Sequence, residues 1–426
     1  MSGAHIDGYR ELWSKGLKCF DIVAACDVAV ERAETRANQA HEFQGGTKPA
    51  VYANVEEMLS KHPDLDCVDI CALHSAHHTL AVAALEAGMH VIIEKPLGIT
   101  MRACKVILDA AEKNGKILSV AENYRLDRTQ RARRWALRQG RIGDVRMFFW
   151  VEVGEGLGKW GWRNFKMDAG GGWALDGGVH FTDLMRFQLG LEAEEVYAVS
   201  KAYEPYRYDN PKERQGGYAV DVEDAVIATI KFAQGVTAQW TWVGSAPGQG
   251  FSRRTIYGSE GCLDFGAGLV PRNGEPISNE TLVKEFTESL SDEEREYYFP
   301  SGIGNTVAIE LKYFADAIKA GGKPEVDGVE GMKSEALCMA VYESGWFGRP
   351  VTLAEIESCE LEGYQKEIND KLETSPSHRI ERVFPAYHKG SSPSAHAPLI
   401  AGRIGIDDWQ IPLHGCHCVL KVEAQF

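Results

Sequence analysis

The sequence lacks several features that would fix its class at once, and each absence excludes something. No apolar stretch is long enough to cross a bilayer, and no charged-then-apolar leader opens the chain. Positive charge is scarce: 46 Lys and Arg stand against 61 Asp and Glu, a formal net charge of −15. Nucleic acid and anionic membrane would repel such a chain, so neither is expected as a partner. Cysteine pairing is also missing as a pattern. The ten cysteines are scattered, and Cys19, Cys26, Cys67, Cys71 and Cys104 lie in or beside apolar segments, where a free thiol behaves as a small hydrophobe. A reducing compartment, the cytoplasm, is the expectation. His414, Cys416, His417 and Cys418 are metal-ligand types, but their spacing fits no zinc pattern, and no metal is expected. Gly156-x-Gly158-x-x-Gly161 matches a dinucleotide fingerprint formally. No apolar helix follows it, so it reads as a loop on the substrate side.

What is present is a globular composition, with 44% hydrophobic and 25% charged residues over 426 positions. To about residue 125, short apolar runs (Phe20 to Ala25, Cys67 to Ala72, His90 to Glu94, Ile117 to Val120) alternate with helical patterns. This predicts a Rossmann-like α/β domain, a parallel sheet covered on both faces. The series begins with a helical pattern, Ala4 to Ser14, where a dinucleotide-binding sheet begins with its central strand. An arginine-rich helix from Arg125 to Gly140 reads as a largely solvated face. From Val145 the texture changes to longer alternating strands, which predicts an α+β domain with an open, mostly antiparallel sheet. The expected division is 1–125, 126–371 and a tail, 372–426, with a linker-like Ser391-Ser392-Pro393-Ser394 and no assigned structure.

Chemistry-bearing residues gather at expected strand ends. Asp27 ends one strand, where a carboxylate can accept hydrogen bonds from a ribose and repel a 2′-phosphate, or can cap the next helix. Lys95, in Glu94-Lys95-Pro96, follows another; ligands of open α/β sheets bind at such ends. An ammonium there can donate to a substrate oxygen and favour its deprotonated form. Gly170-Gly171-Gly172 allows close backbone approach. Asp176 and His180 follow at helical i, i+4 spacing. Imidazole is suited to general-base work, and Asp176 can bind substrate hydroxyls or support the imidazolium. Asp183 and Arg186 stand at ion-pair spacing.

The combination of Glu94-Lys95-Pro96 with Gly170-Gly171-Gly172, Asp176 and His180 resembles the Gfo/Idh/MocA family of nicotinamide-dependent sugar and cyclitol oxidoreductases. The resemblance covers roughly residues 2 to 360. It implies catalytic roles for Lys95, Asp176 and His180 and cofactor contacts at Ser2, Asp27, Leu73, His74, His78, Glu94, Lys95, Pro96 and Asn123. It implies substrate contacts at Tyr124, Arg125, Trp162 and Arg163, together with Lys95, Asp176 and His180. Family members commonly begin with a strand and a Gly-x-Gly loop, of which Met1-Ser2-Gly3-Ala4-His5 looks like the tail. One strand and one turn, about ten to fifteen residues, are therefore expected to be missing, with weak NAD binding if the protein truly begins at Met1. The expected activity is NAD-dependent oxidation of a secondary hydroxyl of a sugar, cyclitol or glycoside, or the reverse, with NAD favoured over NADP. The resemblance also admits an NAD-recycling glycosidase and a non-catalytic NAD sensor. It implies a homodimer or homotetramer formed through the second sheet.

Overall fold

The computed structural model describes residues 1–374 and the strand Cys416–Lys421. The first part alternates β1 (Asp21–Asp27), β2 (Ala50–Tyr52), β3 (Cys67–Cys71), β4 (His90–Glu94) and β5 (Leu118–Ala121) with helices. The helices start where sequence provides caps: Asn54 accepts from the Glu57 N–H, and Thr100 from the Ala103 N–H. The Met101–Lys113 helix buries Met101, Cys104, Ile107 and Ala111 along one stripe. Val91 to Glu94 of β4 are all buried, as a strand covered on both faces must be. The pairs β1–β2, β3–β4 and β4–β5 are parallel.

The second part holds β6 (Val145–Val153), β7 (Ala193–Lys201), a small ribbon of β8 (Tyr206–Arg207) and β9 (Tyr218–Ala219), then β10 (Ala225–Phe232), β11 (Thr237–Val243), β12 (Phe251–Gly258), β13 (Gly261–Asp264), β14 (Gly268–Pro271) and β15 (Val351–Thr352). Eight of these form one sheet in the order β14-β13-β12-β6-β11-β10-β7-β15, antiparallel except for β6 beside β11. Along β10, Val226, Ala228, Ile230 and Phe232 are buried while Ile227, Thr229 and Lys231 are exposed, the period-two pattern of a sheet with one dry face. That face packs on the Gly178–Leu189 and Gly328–Phe347 helices. Trp150 stacks on Phe181 with ring centroids 4.3 Å apart, and the Ala198 N–H donates to Ser344 Oγ. A Cβ on Gly178 would stand 2.6 Å from the Trp240 ring, so only glycine lets this helix lie so close.

The last described strand, β16 (Cys416–Lys421), returns to the first sheet, whose order is β2-β1-β16-β3-β4-β5. It runs antiparallel to both neighbours, Asp27 opposite Cys416 and Cys416 opposite Cys71. The expected gap in the sheet centre is therefore filled from the far end of the chain, and the sheet is parallel except at its middle. This corrects the expectation of a tail without structure. The reason is backbone hydrogen bonding, since β1 and β3 would otherwise present unpaired N–H and C=O groups inside the domain. Ser391 to Ser394 and His414 lie outside the described residues, as do the side chains of Cys416, His417 and Cys418.

The arginine-rich helix also departs from expectation. It spans Arg128–Arg138, and Arg125, Arg131 and Arg133 are buried. Arg131 pairs with Glu325 at 2.8 Å, while Arg133 and Arg134 each lie 4.0 Å from a phenylalanine ring centroid, those of Phe265 and Phe187. A carboxylate meets Arg131, and aromatic faces cover Arg133 and Arg134 inside the fold. Asp183 pairs with Arg125, not with Arg186, which pairs with Glu192 and Glu330. No helix among the described residues is long and apolar enough to cross a membrane, and the eight described cysteines are free thiols.

Candidate active site

Two clusters of buried charge meet at the carboxyl edge of the first sheet. In the first, Lys95 leaves the end of β4 through a cis Lys95–Pro96 peptide. His77 Nδ1 donates to the Pro96 carbonyl at 2.8 Å. Lys95 Nζ donates to the Asp176 backbone carbonyl at 2.6 Å and lies 3.7 Å from Asp176 Oδ1. The same carboxylate oxygen meets Arg163 Nε at 3.0 Å and His74 Nε2 at 3.2 Å. Burial alone would raise the Asp176 carboxyl, but the Lys95 ammonium, with His74 and Arg163, holds it well below the usual carboxylate range. Trp162 closes this side. Its ring stands edge-on to His74 at 4.7 Å, and the Arg163 guanidinium lies 4.3 Å from its centre.

The three glycines shape the approach. Gly170 closes the Lys166–Ala169 turn at φ +83°, in the left-handed region. A Cβ on Gly171 would stand 2.2 Å from the Tyr342 hydroxyl. The Gly172 and Ala174 N–H groups donate to the two oxygens of the buried Glu223 carboxylate at 2.8 and 2.9 Å. The Trp173–Asp176 turn and the Gly178–Leu189 helix then follow, divided at Gly177. Asp176 and His180 bond to different partners, Asp176 to His74 and Arg163 and His180 to Glu122.

The second cluster is built on His180. Its Nδ1 is 2.8 Å from Glu122 Oε2, and its ring lies flat on Tyr124, centroids 3.8 Å apart at 3°. Burial pushes the Glu122 carboxyl above its ordinary range against the pull of His180. Glu122 was not among the expected site residues. It directly follows β5, and the strand-end rule that selected Lys95 and Asn123 would have found it. His5 was likewise missed. It is buried between Asp69 (2.8 Å) and Glu94 (3.1 Å). Burial opposes its protonation, but Asp69 outweighs burial and raises its pKa well above the ordinary value. The cationic ring in turn helps hold Glu94 down at about 2, against burial. His5, Asp69 and Cys71 place ligand-type atoms within 4.8 Å of one another; an imidazolium there is a hydrogen-bond donor and not a ligand.

The structure thus brings together Lys95, Asp176, His74, Trp162 and Arg163 on one side, and His180 and Tyr124 on the other. Arg125 does not join them. It is buried, and its Nε donates to Asp183 at 2.8 Å. Leu73, His78 and Asn123 are buried as well, His78 beside the Leu372 carbonyl. Asp27 is buried at the end of β1 with Oδ1 accepting the Ala29 N–H at 2.8 Å; this turns the chain towards the Val30–Gln44 helix without capping it, since the N-cap is Ala29 and no side chain caps that helix. Ser2 Oγ accepts from Arg36 Nε at 3.2 Å. Gly156, Gly158 and Trp160 line a cleft of about 290 Å³ together with Trp173 and Trp242.

Comparison with known proteins agrees with this architecture. The family described as "Oxidoreductase family, NAD-binding Rossmann fold" matches residues 2–122, and "GFO/IDH/MocA C-terminal domain" matches residues 129–264. A levoglucosan dehydrogenase of Pseudarthrobacter phenanthrenivorans is 31% identical over 319 residues, 66% of this chain and 78% of that protein. A 1,5-anhydro-D-fructose reductase of Ensifer adhaerens is 29% identical over 343 residues, 79% of this chain and 92% of its own length. A solved levoglucosan dehydrogenase, in complex with NADH and levoglucosan, shares the fold at TM-score 0.66 and 23% identity, over 83% of this chain and 96% of that one. The chain belongs to the Gfo/Idh/MocA family of NAD-binding oxidoreductases.

The residues fit such a cofactor in kind. The Ser2–Ser14 helix has no side-chain cap, and the Arg36 guanidinium lies beside its first turn, 3.4 Å from a Cβ placed on Gly3. Amide dipoles and a cation there suit a pyrophosphate. Asp27 ends the neighbouring strand, and the Lys95 cluster stands where the sheet's carboxyl edge opens, as a nicotinamide requires.

Proposed function

We propose that the protein oxidises a secondary hydroxyl of a sugar, cyclitol or anhydrosugar, or reduces the matching ketone. The observation that carries this reading is the pairing of a lysine and a histidine, each backed by its own buried carboxylate. Lys95 lies beside Asp176 at 3.7 Å and His180 is bonded to Glu122 at 2.8 Å. NAD, when bound, supplies the hydride acceptor. His180 Nε2 takes the hydroxyl proton while Nδ1 stays bonded to Glu122, and Lys95 donates to the oxygen as negative charge grows on it. Asp176 and Arg163 fix the lysine and bind neighbouring hydroxyls, and Trp162 and Tyr124 offer aromatic faces to sugar C–H groups. At the cofactor, Ser2 and Arg36 hold the pyrophosphate and Asp27 the adenosine ribose, which favours NAD over NADP. Leu73, His74, Glu94, Pro96 and Asn123 shape the nicotinamide side.

In this reading residues 1–125 hold the cofactor and 126–371 the substrate. The open face of the second sheet, with Met147, Tyr197, Val199, Ile227 and Phe251 exposed, joins copies of the chain into a homodimer or homotetramer.

The test is NAD⁺ reduction with levoglucosan, myo-inositol and methyl glucosides. NADH formation with one of them is expected. No NADH from any, in a protein that binds NADH, would overturn the dehydrogenase reading. Release of the aglycone from an aryl glycoside without net NADH would point instead to redox-neutral hydrolysis.

A further inference from the structure

Oxidation of an alcohol releases a proton, and His180 must lose it before the next turnover. The active-site side is filled by substrate and cofactor at that moment, so the route out matters. Behind His180 the structure holds carboxyl oxygens that the hydride step does not use. Glu122 accepts His180 Nδ1 with one oxygen, and its other oxygen, Oε1, is buried without a protein hydrogen-bond partner. Glu310, on the Thr306–Ala320 helix, has both carboxyl oxygens buried and without such a partner. Burial of an unpartnered carboxyl costs enough that a group is rarely left so without a role or a water. Glu122 and Glu310 line one small cavity of about 10 Å³, with Tyr313 and Glu325 at the same space, about the room one water needs. Glu325 also lines a surface cleft of about 580 Å³.

We infer that Glu122, the cavity water and Glu310 form a proton exit from His180 to Glu325 and the surface cleft, on the side of the sheet away from the substrate. The inference rests on the proposed role of His180 as base. The transfers balance as a relay. As the hydroxyl proton arrives at His180 Nε2, the Nδ1 proton passes to Glu122 Oε2, the proton Glu122 held on Oε1 passes to the water, the water gives one to Glu310, and the proton Glu310 held passes on to Glu325; once product has left, His180 gives its Nε2 proton to water in the emptied site and retakes one at Nδ1 along the same chain, which restores the base. Glu122 is a positioning residue and the first proton carrier. Burial pushes the Glu310 carboxyl well above its ordinary value, which favours the protonated form that the relay uses. The charged groups facing Glu122 are His180 and Asp183 from one helix and Lys95 from the β4 loop. Arg125 and the Cys338 thiol also feel its charge. Glu310 faces His5, Glu94 and Asp69 as well. Glu325 is held by Arg131.

The test compares the whole protein with its E122Q and E310Q variants, which keep shape and remove proton transfer. Two readouts are needed. The first needs no turnover: the NMR resonance of the His180 Nδ1–H proton held by Glu122, assigned by its absence in H180N. E122Q, which removes the charge on the acceptor, is expected to move it upfield, and an unchanged resonance would overturn the His180–Glu122 coupling. The second is turnover with NAD⁺ and levoglucosan or myo-inositol across pH. E122Q is expected to lose about 100-fold in kcat, with an altered pH profile. E310Q is expected to lose about tenfold, with a larger solvent deuterium isotope effect and little change in KM. Wild-type NADH formation with E310Q equal to wild type in rate and isotope effect would overturn the relay alone. No NADH from wild type on either polyol would overturn both the relay and the functional reading beneath it.

Discussion

The two sheets solve the same problem by different means. The second sheet mixes strands that follow one another, β10 beside β11 and β12 beside β13, with pairings across longer stretches, β6 beside β11 and β12 and β7 beside β15, all drawn from residues 145 to 352. The first sheet is completed by a strand from about four hundred residues away, β16 between β1 and β3. The second sheet leaves one face open, with alternate residues exposed, while the first is covered on both sides. The difference teaches where chemistry can sit. A covered sheet offers only its strand ends, and Lys95, Glu122 and His74 stand at or just beyond them. The half-open sheet contributes through the helix on its dry face, which carries His180.

The junction between the sheets is the most sensitive place to break. K95M and H180N each remove one half of the site and are expected to lower kcat/KM about 1000-fold or more, with the far-ultraviolet circular dichroism unchanged. A loss below tenfold in either would contradict the assigned roles.

Removing residues 375–426 tests the contrast between near and far strands. The first sheet loses its central strand and the second loses nothing. A drop on the order of 5 kcal/mol in urea unfolding is expected, with hydrogen-exchange protection lost in β1 and β3 and kept in β10 and β11. An unchanged midpoint would mean that β16 adds nothing to the sheet.

Two buried carboxyls sharpen the comparison through pH. Glu94, in the first sheet, is lowered from 4.5 to about 2; burial raises it, but His5 and Lys95 outweigh burial. Its contribution is present above pH 4.5 and is lost as pH falls towards 2. Glu335, on the helix between the sheets, is raised from 4.5 to about 8 by burial. Its contribution is complete below pH 4.5 and is lost as pH rises towards 8. E94Q should therefore flatten the acid limb of the stability curve by about 3 kcal/mol, and E335Q the alkaline limb by up to about 5 kcal/mol. Thermal unfolding from pH 3 to 9 would show both, and limbs of the same sign would refute the assignment.

The smallest effect on the single chain is expected at the open face. I227E places a charge opposite Val199. It should halve the mass seen by light scattering at micromolar concentration and change the stability of the protomer by less than about 0.5 kcal/mol. An unchanged mass would remove this face as the interface.

Much of this architecture is legible in the chain. The run His90 to Glu94 appears as a strand at its expected bounds and alternating strands begin at Val145 as expected, because buried strands are written in consecutive or alternating apolar residues. Lys95, Asp176 and His180 could be singled out because Glu-Lys-Pro and the three glycines are uncommon and lie at strand and helix ends. Periodicity cannot say which carboxylate meets which cation. Asp176 and His180 share a spacing but not a partner, since Glu122, 58 positions away in the chain, bonds to His180 while His74 and Arg163 meet Asp176. Arg125 looked available to substrate until Asp183 closed on it, and the arginine-rich run looked solvated until Phe265 and Phe187 lay over its guanidinium groups.

The sequence by itself determined the two kinds of sheet, the helices between them and the lysine and histidine of the site, because local apolar pattern and turn chemistry act over a few residues. Only the tertiary structure decided the centre of the first sheet, the partners of the buried charges and the acidic cavity behind His180. Those depend on which distant groups must satisfy one another once water is gone, and desolvation is a property of the packed chain as a whole.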